Sequence, residues 1–465
     1  MFPFKVKSWI VFILVVALLL VTMHTHQATA FCGFYVAKAD ADLFNNSSKV
    51  VLARAEDRTV MTMANDFQGD VKDFAIVIPV PVKITKEQVN VTENSIIEHL
   101  DAYTAPRLVE YFDSNPCARK RMPEMRMMQS MGASGTQADA MQKAKSLGVT
   151  IEAQYSVGEY DIVILSAEQS DGLLTFLNSE GYKIPEKAKD VLGSYIKQDM
   201  KFFLAKVDME KFETEGYQFL RPLQVAYESD KFMLPIRLGT VNAKGPQDIL
   251  LYTLTRKGRV EPVNYRTVKI PSDKNVPLFV KDEFGDFYKA MFSQMAERED
   301  MEVMFLEYAW NMSWCDPCAA DPLPNEDLRT LGAWWIDQTQ DQGPVINSRR
   351  PAPAPVDVFV TRLHARYTAE SFPADIQLQE TGDSTNFQGR YVLQHPWEGE
   401  AECKAAQDYY RSLPERFEKE AKTLANMTGW EIDNIRTKMK KNGQRFNLKE
   451  IKKERPWWER IWPGD

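Results

Sequence analysis

Strand-like and helix-like periodicities follow one another along this chain without the regular strand–helix–strand alternation that a doubly wound parallel sheet requires. Residues 50–53 and 59–63 read as strands around the turn-like Glu56-Asp57-Arg58. Residues 74–80 form a continuous apolar run with Pro79 and Pro81 at its end, as in a buried strand leaving its sheet. Residues 95–112 carry Ile96, Ile97, Leu100, Leu108 and Tyr111 near helical spacing, a helix that Pro106 must kink or split. Strand character returns at 151–154, 161–167 and 200–207, with amphipathic helices expected over 173–178 and 186–196. Short strands are predicted at 224–227, 232–238, 249–255 and 265–270. A helix at 284–299 and a strand at 303–308 come next. Strands at 356–367 and 390–393 precede a long helix at 401–424, interrupted near Pro414. This order predicts an α+β fold: mixed, largely antiparallel strands with interspersed helices and a helical C-terminal region.

The N-terminus constrains where such a fold would form. Lys5 and Lys7 precede an apolar stretch at 9–21, and Ala28-Thr29-Ala30 supplies a small-x-small site. This reads as a signal peptide over 1–30, cleaved after Ala30 to leave Phe31 first. Thirteen helical residues span about 20 Å, short of the roughly 30 Å hydrocarbon core. An uncleaved anchor is the alternative. The expected localisation is extracytoplasmic, periplasmic or secreted.

At 465 residues the chain exceeds what one core usually serves. The expected division is a main α+β region at 31–348, built as two packed subdomains. It is followed by a Pro-rich linker at 349–356, a short β region at 357–400 and a helical region with a tail at 401–465. A Met-rich insertion at about 119–147 surrounds Gly132-Ala133-Ser134-Gly135 and reads as a flexible exposed segment. The net charge is −8, or −10 once the leader and its two lysines are removed. That balance argues against nucleic acid as the partner, since phosphate recognition needs a basic footprint. The tail is basic and carries Trp457, Trp458 and Trp462. Such a tail can touch an anionic membrane surface or an acidic partner.

The five cysteines Cys32, Cys117, Cys315, Cys318 and Cys403 all follow the leader, so an oxidising compartment would let disulfides persist. Their connectivity is open; Cys32–Cys117 is the preferred structural pair. Trp314-Cys315-Asp316-Pro317-Cys318 has the spacing of a redox dithiol, with Cys315 to attack a substrate disulfide and Cys318 to resolve the mixed disulfide. Its context departs from that chemistry. Asp321-Pro322-Leu323-Pro324 forbids a helix starting at Cys315, and Asp316 disfavours a thiolate. A structural bridge, either Cys315–Cys318 or one of them to Cys403, is the preferred role. A zinc set of Cys315, Cys318, His395 and Cys403 has no supporting spacing. His99, His364 and His395 each read as hydrogen-bonded structural residues. No metal, cofactor or nucleophile motif is expected.

Several stretches together carry a resemblance. They are Phe31-Cys32-Gly33-Phe34-Tyr35-Val36, Phe74-Ala75-Ile76-Val77-Ile78-Pro79-Val80-Pro81 and His99-Leu100-Asp101-Ala102-Tyr103. To these are added Ser313-Trp314-Cys315-Asp316-Pro317-Cys318, Thr361-Arg362-Leu363-His364-Ala365-Arg366-Tyr367 and Gln388-Gly389-Arg390-Tyr391-Val392-Leu393-Gln394-His395-Pro396-Trp397. The chain resembles, over about residues 31–400, an exported bacterial family catalogued as domain of unknown function 2330. The resemblance implies a bacterial, exported protein and no particular activity. The function expected is a non-enzymatic cell-envelope protein, stabilised by disulfides, that binds a protein or envelope ligand or serves as structure. The alternatives are a thiol–disulfide oxidoreductase using Cys315 and Cys318 and a membrane-surface protein docking through its tail.

Overall fold

Glu56 and Asp57 reverse the chain between strands Phe44–Ala55 and Arg58–Gln68, and Glu56 takes the left-handed conformation with φ 54°. A tight turn with a positive φ joins antiparallel strands with little splay. The computed structural model describes residues 34–37, 44–68, 74–118, 149–180, 187–208, 220–241, 245–314, 320–337 and 357–446, with the single positions 182, 184, 185, 211 and 243.

That hairpin lies in a nine-stranded sheet. Its order is Arg266–Lys269, Val303–Asn311, Phe359–Tyr367, Gln247–Thr255, Phe44–Ala55, Arg58–Gln68, Leu223–Glu228 and Val89–Val91, with Phe387–Gln388 also on Val303–Asn311. Two of its pairings are parallel, Gln247–Thr255 with Phe44–Ala55 and Arg266–Lys269 with Val303–Asn311; the others are antiparallel. A second, fully antiparallel sheet runs Phe34–Ala37, Phe74–Val80, Lys201–Val207, Tyr160–Ala167 and Val149–Val157. Two three-stranded sheets complete the β structure. One joins Met233–Leu234, Ile376–Glu380 and Val260–Pro262; the other is parallel and joins Lys274–Val276, Arg390–His395 and Arg107–Phe112.

Eight helices accompany these strands among the described residues: α1 Asn94–Thr104, α2 Ser170–Ser179, α3 Ala188–Ile196, α4 Arg237–Thr240, α5 Phe284–Arg298, α6 Asn325–Thr330, α7 Lys404–Thr428 and α8 Ile432–Lys441. The α+β prediction with a helical C-terminal region holds.

The two large sheets pack face to face. Val50, Leu52, Ile249, Leu251, Leu363 and Ala365 of one meet Ile76, Ile78, Ile162, Ile164 and Phe203 of the other in one buried cluster. On the far side of the five-stranded sheet, Ala75, Val77, Phe202 and Leu204 meet Leu173 and Leu177 of α2 and Leu192 and Tyr195 of α3. On the far side of the nine-stranded sheet, Val51, Ala53, Tyr252 and Val360 meet Ile97, Leu100 and Tyr103 of α1. The same side is completed by α5, whose Phe292 and Ala296 cover Val303 and Phe305. Both large sheets are therefore buried on two faces, which is why several of their strands read as continuous apolar runs.

Four expectations change. The helix read over 95–112 ends at Thr104, and Arg107–Phe112 is a strand. Pro106 cannot continue a helix, and Arg107 N–H instead bonds the Gly389 carbonyl at 3.0 Å. The strand read over 232–238 shrinks to Met233–Leu234 before Pro235, and α4 follows. The long helix is not interrupted at Pro414: α7 passes through it. Leu413, Phe417, Ala421 and Leu424 pack against Phe287 and Met291 of α5, and this burial outweighs the one hydrogen bond that proline removes. Strand Phe359–Tyr367, in the short β region expected at 357–400, is an interior strand of the nine-stranded sheet and pairs with strands of the 31–348 region on both sides. The segment 349–356, the Met-rich segment 119–147, the leader and the tail from 447 lie outside the described residues.

Two local features yield predictions. Helix α6 ends in a Schellman motif, with Ala333 N–H on the Leu328 carbonyl and Gly332 N–H on the Arg329 carbonyl. Gly332 has φ +94°, and a Cβ there would lie 2.4 Å from Val60 Cβ. Gly332→Ala is expected to cost about 2–4 kcal/mol in urea unfolding, whereas Gly285→Ala, with no atom within 4 Å of the added carbon, leaves stability unchanged or slightly raised. An equal effect of both would refute the packing argument.

The second feature joins α7 to the turn after α8. Gln444 donates to Glu420 Oε2 at 2.8 Å and accepts from Leu278 N–H at 3.0 Å. Burial pushes the Glu420 carboxyl up to about 7, against the opposing pull of Arg416 and the Gln444 hydrogen bond, while Asp113 adds to the rise. A carboxyl raised in the folded state contributes stability that is full at low pH and lost as pH rises through about 7. Glu420→Gln should therefore raise stability at pH 8 by about 1–3 kcal/mol and change little at pH 4.5. Equal shifts in thermal melts at both pH values would contradict this.

Candidate functional site

Strand Phe359–Tyr367 alternates strictly. Leu363, Ala365 and Tyr367 enter the core between the two large sheets, so Arg362, His364 and Arg366 point to the opposite face, under the helices. The neighbouring strand Val303–Asn311 breaks its register between Leu306 and Tyr308. This bulge inserts Glu307 as the extra residue. Phe305 pairs with His364 and Tyr308 with Arg362, so the bulge sets Glu307 among side chains on the helix-covered face.

Glu307 is 0% exposed and Arg362 4%. Arg362 Nε donates to Glu307 Oε2 at 2.7 Å, and its Nη1 donates to Asp101 Oδ1 at 2.5 Å and to the Asp101 carbonyl at 3.0 Å. Asp101, on α1, also accepts from Lys49 Nζ at 2.5 Å and from the Tyr252 hydroxyl at 2.8 Å. The second Glu307 oxygen lies 3.0 Å from His364 Nδ1 and accepts from the Tyr288 hydroxyl of α5. The His364 ring lies flat on Phe292, with centroids 3.6 Å apart and planes within 2°. Beside Phe292 on α5, Ser293 accepts from Arg366, whose guanidinium also pairs with Asp248 at 2.6 and 2.7 Å. The network thus binds α1 and α5 to four strands of the sheet beneath them.

Its electrostatics follow from enclosure. Burial pushes the Glu307 carboxyl up, but the attraction of His364 and Arg362, with hydrogen bonds from His364 and Tyr288, outweighs it and holds the group at about 2. Burial likewise pushes Asp101 up, and Arg362 and Lys49 bring it to about 2. The Tyr252 and Tyr288 phenols are driven well above their ordinary value, chiefly by burial, with the neighbouring carboxylates adding to the rise. Both carboxylates therefore stay ionised at neutral pH, both phenols stay protonated, and each charge meets a partner. Such an arrangement fixes geometry.

The residues singled out in the sequence are placed differently. The cysteines brought together are Cys117 and Cys403, not the expected Cys32 and Cys117: the Cys117 and Cys403 sulfur atoms are 2.12 Å apart and the Cα atoms 6.0 Å. The cause is the parallel pairing of Arg107–Phe112 with Arg390–His395, in register from Arg107↔Arg390 to Phe112↔His395, so both chains leave the sheet at the same end. Cys32, Cys315 and Cys318 lie outside the described residues. The zinc set loses Cys403 to this pairing, and His395 contacts Glu110 at 2.8 Å and stacks on Phe112. His99 bonds the Asp321 carbonyl at 2.8 Å. Among the described residues no group of three or more His, Cys, Asp and Glu side chains is arranged to hold a metal ion. No helix there is long and apolar enough to cross a membrane. Sequence reasoning does not single out the network, although Asp101, Arg362 and His364 stand within stretches that carry the family resemblance. The usable signal is the triple Arg-x-His-x-Arg alternation in a strand whose other face is apolar.

A family model described as an uncharacterized protein conserved in bacteria, domain of unknown function 2330, matches residues 26–379. The match takes in Asp101, Glu307, Arg362 and His364 and stops before Cys403 and α7. No curated protein and no solved structure matches the chain.

Removing one member of the network strands another. Arg362→Met should cost about 3–5 kcal/mol in urea unfolding, because two carboxylates lose their shared cation. Adding Glu307→Gln should recover part of that loss; simple additivity of the two changes would show that the groups are not coupled. The depressed carboxylates contribute stability present above their ordinary range and lost as pH falls toward about 2, so Glu307→Gln should flatten the acid limb of the wild-type profile.

Proposed function

Because this chain belongs to the bacterial family catalogued as domain of unknown function 2330, whose description carries no activity, we propose its function from its own residues. It is an exported protein of the bacterial envelope, closed by a Cys117–Cys403 disulfide, that serves as a binding or structural component rather than as an enzyme. The observation that carries this reading is the approach of Cys117 and Cys403 across 286 residues of sequence. A bridge of that kind persists in an oxidising compartment, which is where the leader at 1–30 would deliver the chain. The ionic network supports the non-enzymatic part. Its ionisable groups are bonded to one another under α1 and α5, an arrangement suited to holding the helix layer on the sheet.

A second reading has one observation in its favour. Trp314, the described residue immediately before Cys315, is 52% exposed. A thiol–disulfide oxidoreductase with Cys315 as nucleophile and Cys318 as resolving thiol would need that access.

One experiment separates the two. Envelope and cytosolic fractions are alkylated across a graded glutathione series and mapped as non-reduced peptides. The expected result is a mature chain starting at Phe31 in the envelope fraction, with Cys117 and Cys403 recovered as one cross-linked peptide that stays closed to below about −300 mV. Cys403→Ser should then lower stability by about 2–5 kcal/mol. Free Cys117 and Cys403 in a cytosolic chain would refute the envelope reading. Opening of a Cys315–Cys318 bridge between about −270 and −120 mV would favour the oxidoreductase.

A further inference from the structure

The charge of this chain is divided unevenly along its length. From Lys404 onward it holds fifteen Lys and Arg against ten Asp and Glu, a net charge of +5. Residues 31–403 hold forty against fifty-five, a net charge of −15. The basic excess is concentrated at the end of α8. Between Asp433 and Glu450 stand six Lys and Arg and no Asp or Glu. An acidic body with one basic end singles out that end for an anionic partner.

The fold fixes how that end is presented. Ile435 and Met439 of α8 are buried against Phe417, Ala421 and Leu424 of α7, so the helix lies with its apolar side inward. The turn after it is pinned by Gln444, whose side chain bonds Glu420 and Leu278 and whose N–H donates to the Met439 carbonyl at 3.0 Å. Two of the basic groups are already paired within the molecule, Arg436 with Glu418 and Asp433, and Lys438 with Glu283. Lys440 and Lys441 are exposed, and neither has an ion-pair partner among the described residues. The turn beside them is open, since a carbon added to Gly443 would meet no atom within 4 Å.

Cations in the last turn of a helix complement its dipole, and that local role covers Lys440 and Lys441 alone. It does not cover a run that passes the helix end to Arg445 and Lys449, or the opposite sign of the rest of the chain. We propose that the exposed end of α8 docks this chain on a bilayer containing anionic phospholipid, with Lys440 and Lys441 at the headgroups. Each lysine near such a surface adds to the attraction, which decays within a Debye length. The acidic body is repelled by the same surface, so contact is made end-on through the helical region. Beyond residue 446 the sequence adds Lys452, Lys453 and Arg455, then Trp457, Trp458 and Trp462. Tryptophan favours the boundary between headgroups and hydrocarbon. Stable peripheral attachment takes two signals, and charge with interfacial indoles supplies both. An inorganic polyanion would satisfy the lysines but offers the indoles no such boundary, which is why a bilayer is favoured. The inference does not depend on export or on the Cys117–Cys403 pair.

The test sediments the full mature protein with vesicles of equal parts phosphatidylglycerol and phosphatidylcholine, at low and at high salt. Pure phosphatidylcholine vesicles, inorganic polyphosphate, a single-stranded oligonucleotide and buffer alone are parallel arms. Binding to the anionic vesicles is expected at low salt, weakening steeply as salt rises, with none to the neutral vesicles. Lys440→Glu combined with Lys441→Glu alters two exposed side chains, so it should change the melting temperature little yet weaken vesicle binding by about thirtyfold or more. Lys86→Glu combined with Lys257→Glu makes the same change in net charge at two exposed positions of the body and should leave binding within about threefold of wild type. Four results would overturn the proposal: no binding to anionic vesicles at low salt, equal binding to neutral ones, the two double variants weakening binding alike, or binding to polyphosphate or the oligonucleotide without binding to vesicles. Salt-sensitive sedimentation in buffer alone, with the basic end meeting the acidic body of a second copy, would overturn it as well.

Discussion

A guanidinium almost wholly removed from water must be met by negative charge before a sheet can close over it, and Arg362 is met from two directions. The cost of taking such groups out of solvent is several kcal/mol per ion, recovered only when the geometry is good and the remaining lone pairs are filled. Here Glu307 comes from the adjacent strand and Asp101 from α1, with Lys49, Tyr252, Tyr288 and His364 filling the remaining positions. The arrangement exists only when α1, α5 and four strands are in place together. A one-residue slip of strand Phe359–Tyr367 would turn Arg362 and His364 into the apolar layer that holds Leu363 and Ala365. The ion pair thus penalises wrong registers more than it stabilises the right one.

The bulge at Glu307 shows what that requirement asks of the backbone. Regular pairing through Val303–Asn311 would give alternate residues to the two faces. The irregular step instead places Glu307 beside Arg362 while Tyr308 still sits opposite Arg362 and joins the cluster under α1. The Glu307 peptide is held in turn, since its carbonyl accepts from Gly389 N–H at 2.7 Å. That contact brings the segment Phe387–His395 against the large sheet. It continues into the parallel sheet whose ends lead to Cys117 and Cys403. The network and the cysteine pair are therefore parts of one connected packing problem.

Much of this architecture was legible in the sequence, for a physical reason. Strands 74–80, 161–167, 201–207 and 249–255 lie in sheets covered on both faces, so apolar composition marked them without help from alternation. Two of the misreadings share a cause: tertiary contacts overrode local rules at Pro106 and Pro414 in opposite directions. Pro106 ended a helix where a strand partner waited at Gly389. Pro414 failed to end one because α5 held both flanking turns. The site was less legible. Arg-x-His-x-Arg in a strand ordinarily marks a solvated face, and only the helix layer inverts that meaning. The partners Asp101 and Arg362 stand 261 residues apart, and Cys117 and Cys403 stand 286 apart, so no spacing rule reaches either pair.

Two neighbouring clusters under α1 hold the helix layer in different ways. They share adjacent residues, Glu307 next to Tyr308 and Asp101 two positions from Tyr103. In the first, every acceptor and donor named above is satisfied by another side chain, and substitution there acts on the fold. In the second, aromatic rings supply the packing, with Tyr103 edge-on to Tyr308 and Trp310 beside it. Charged groups bonded in fixed directions decide which strands and helices can meet, and the rings beside them fill the space that this choice leaves under α1.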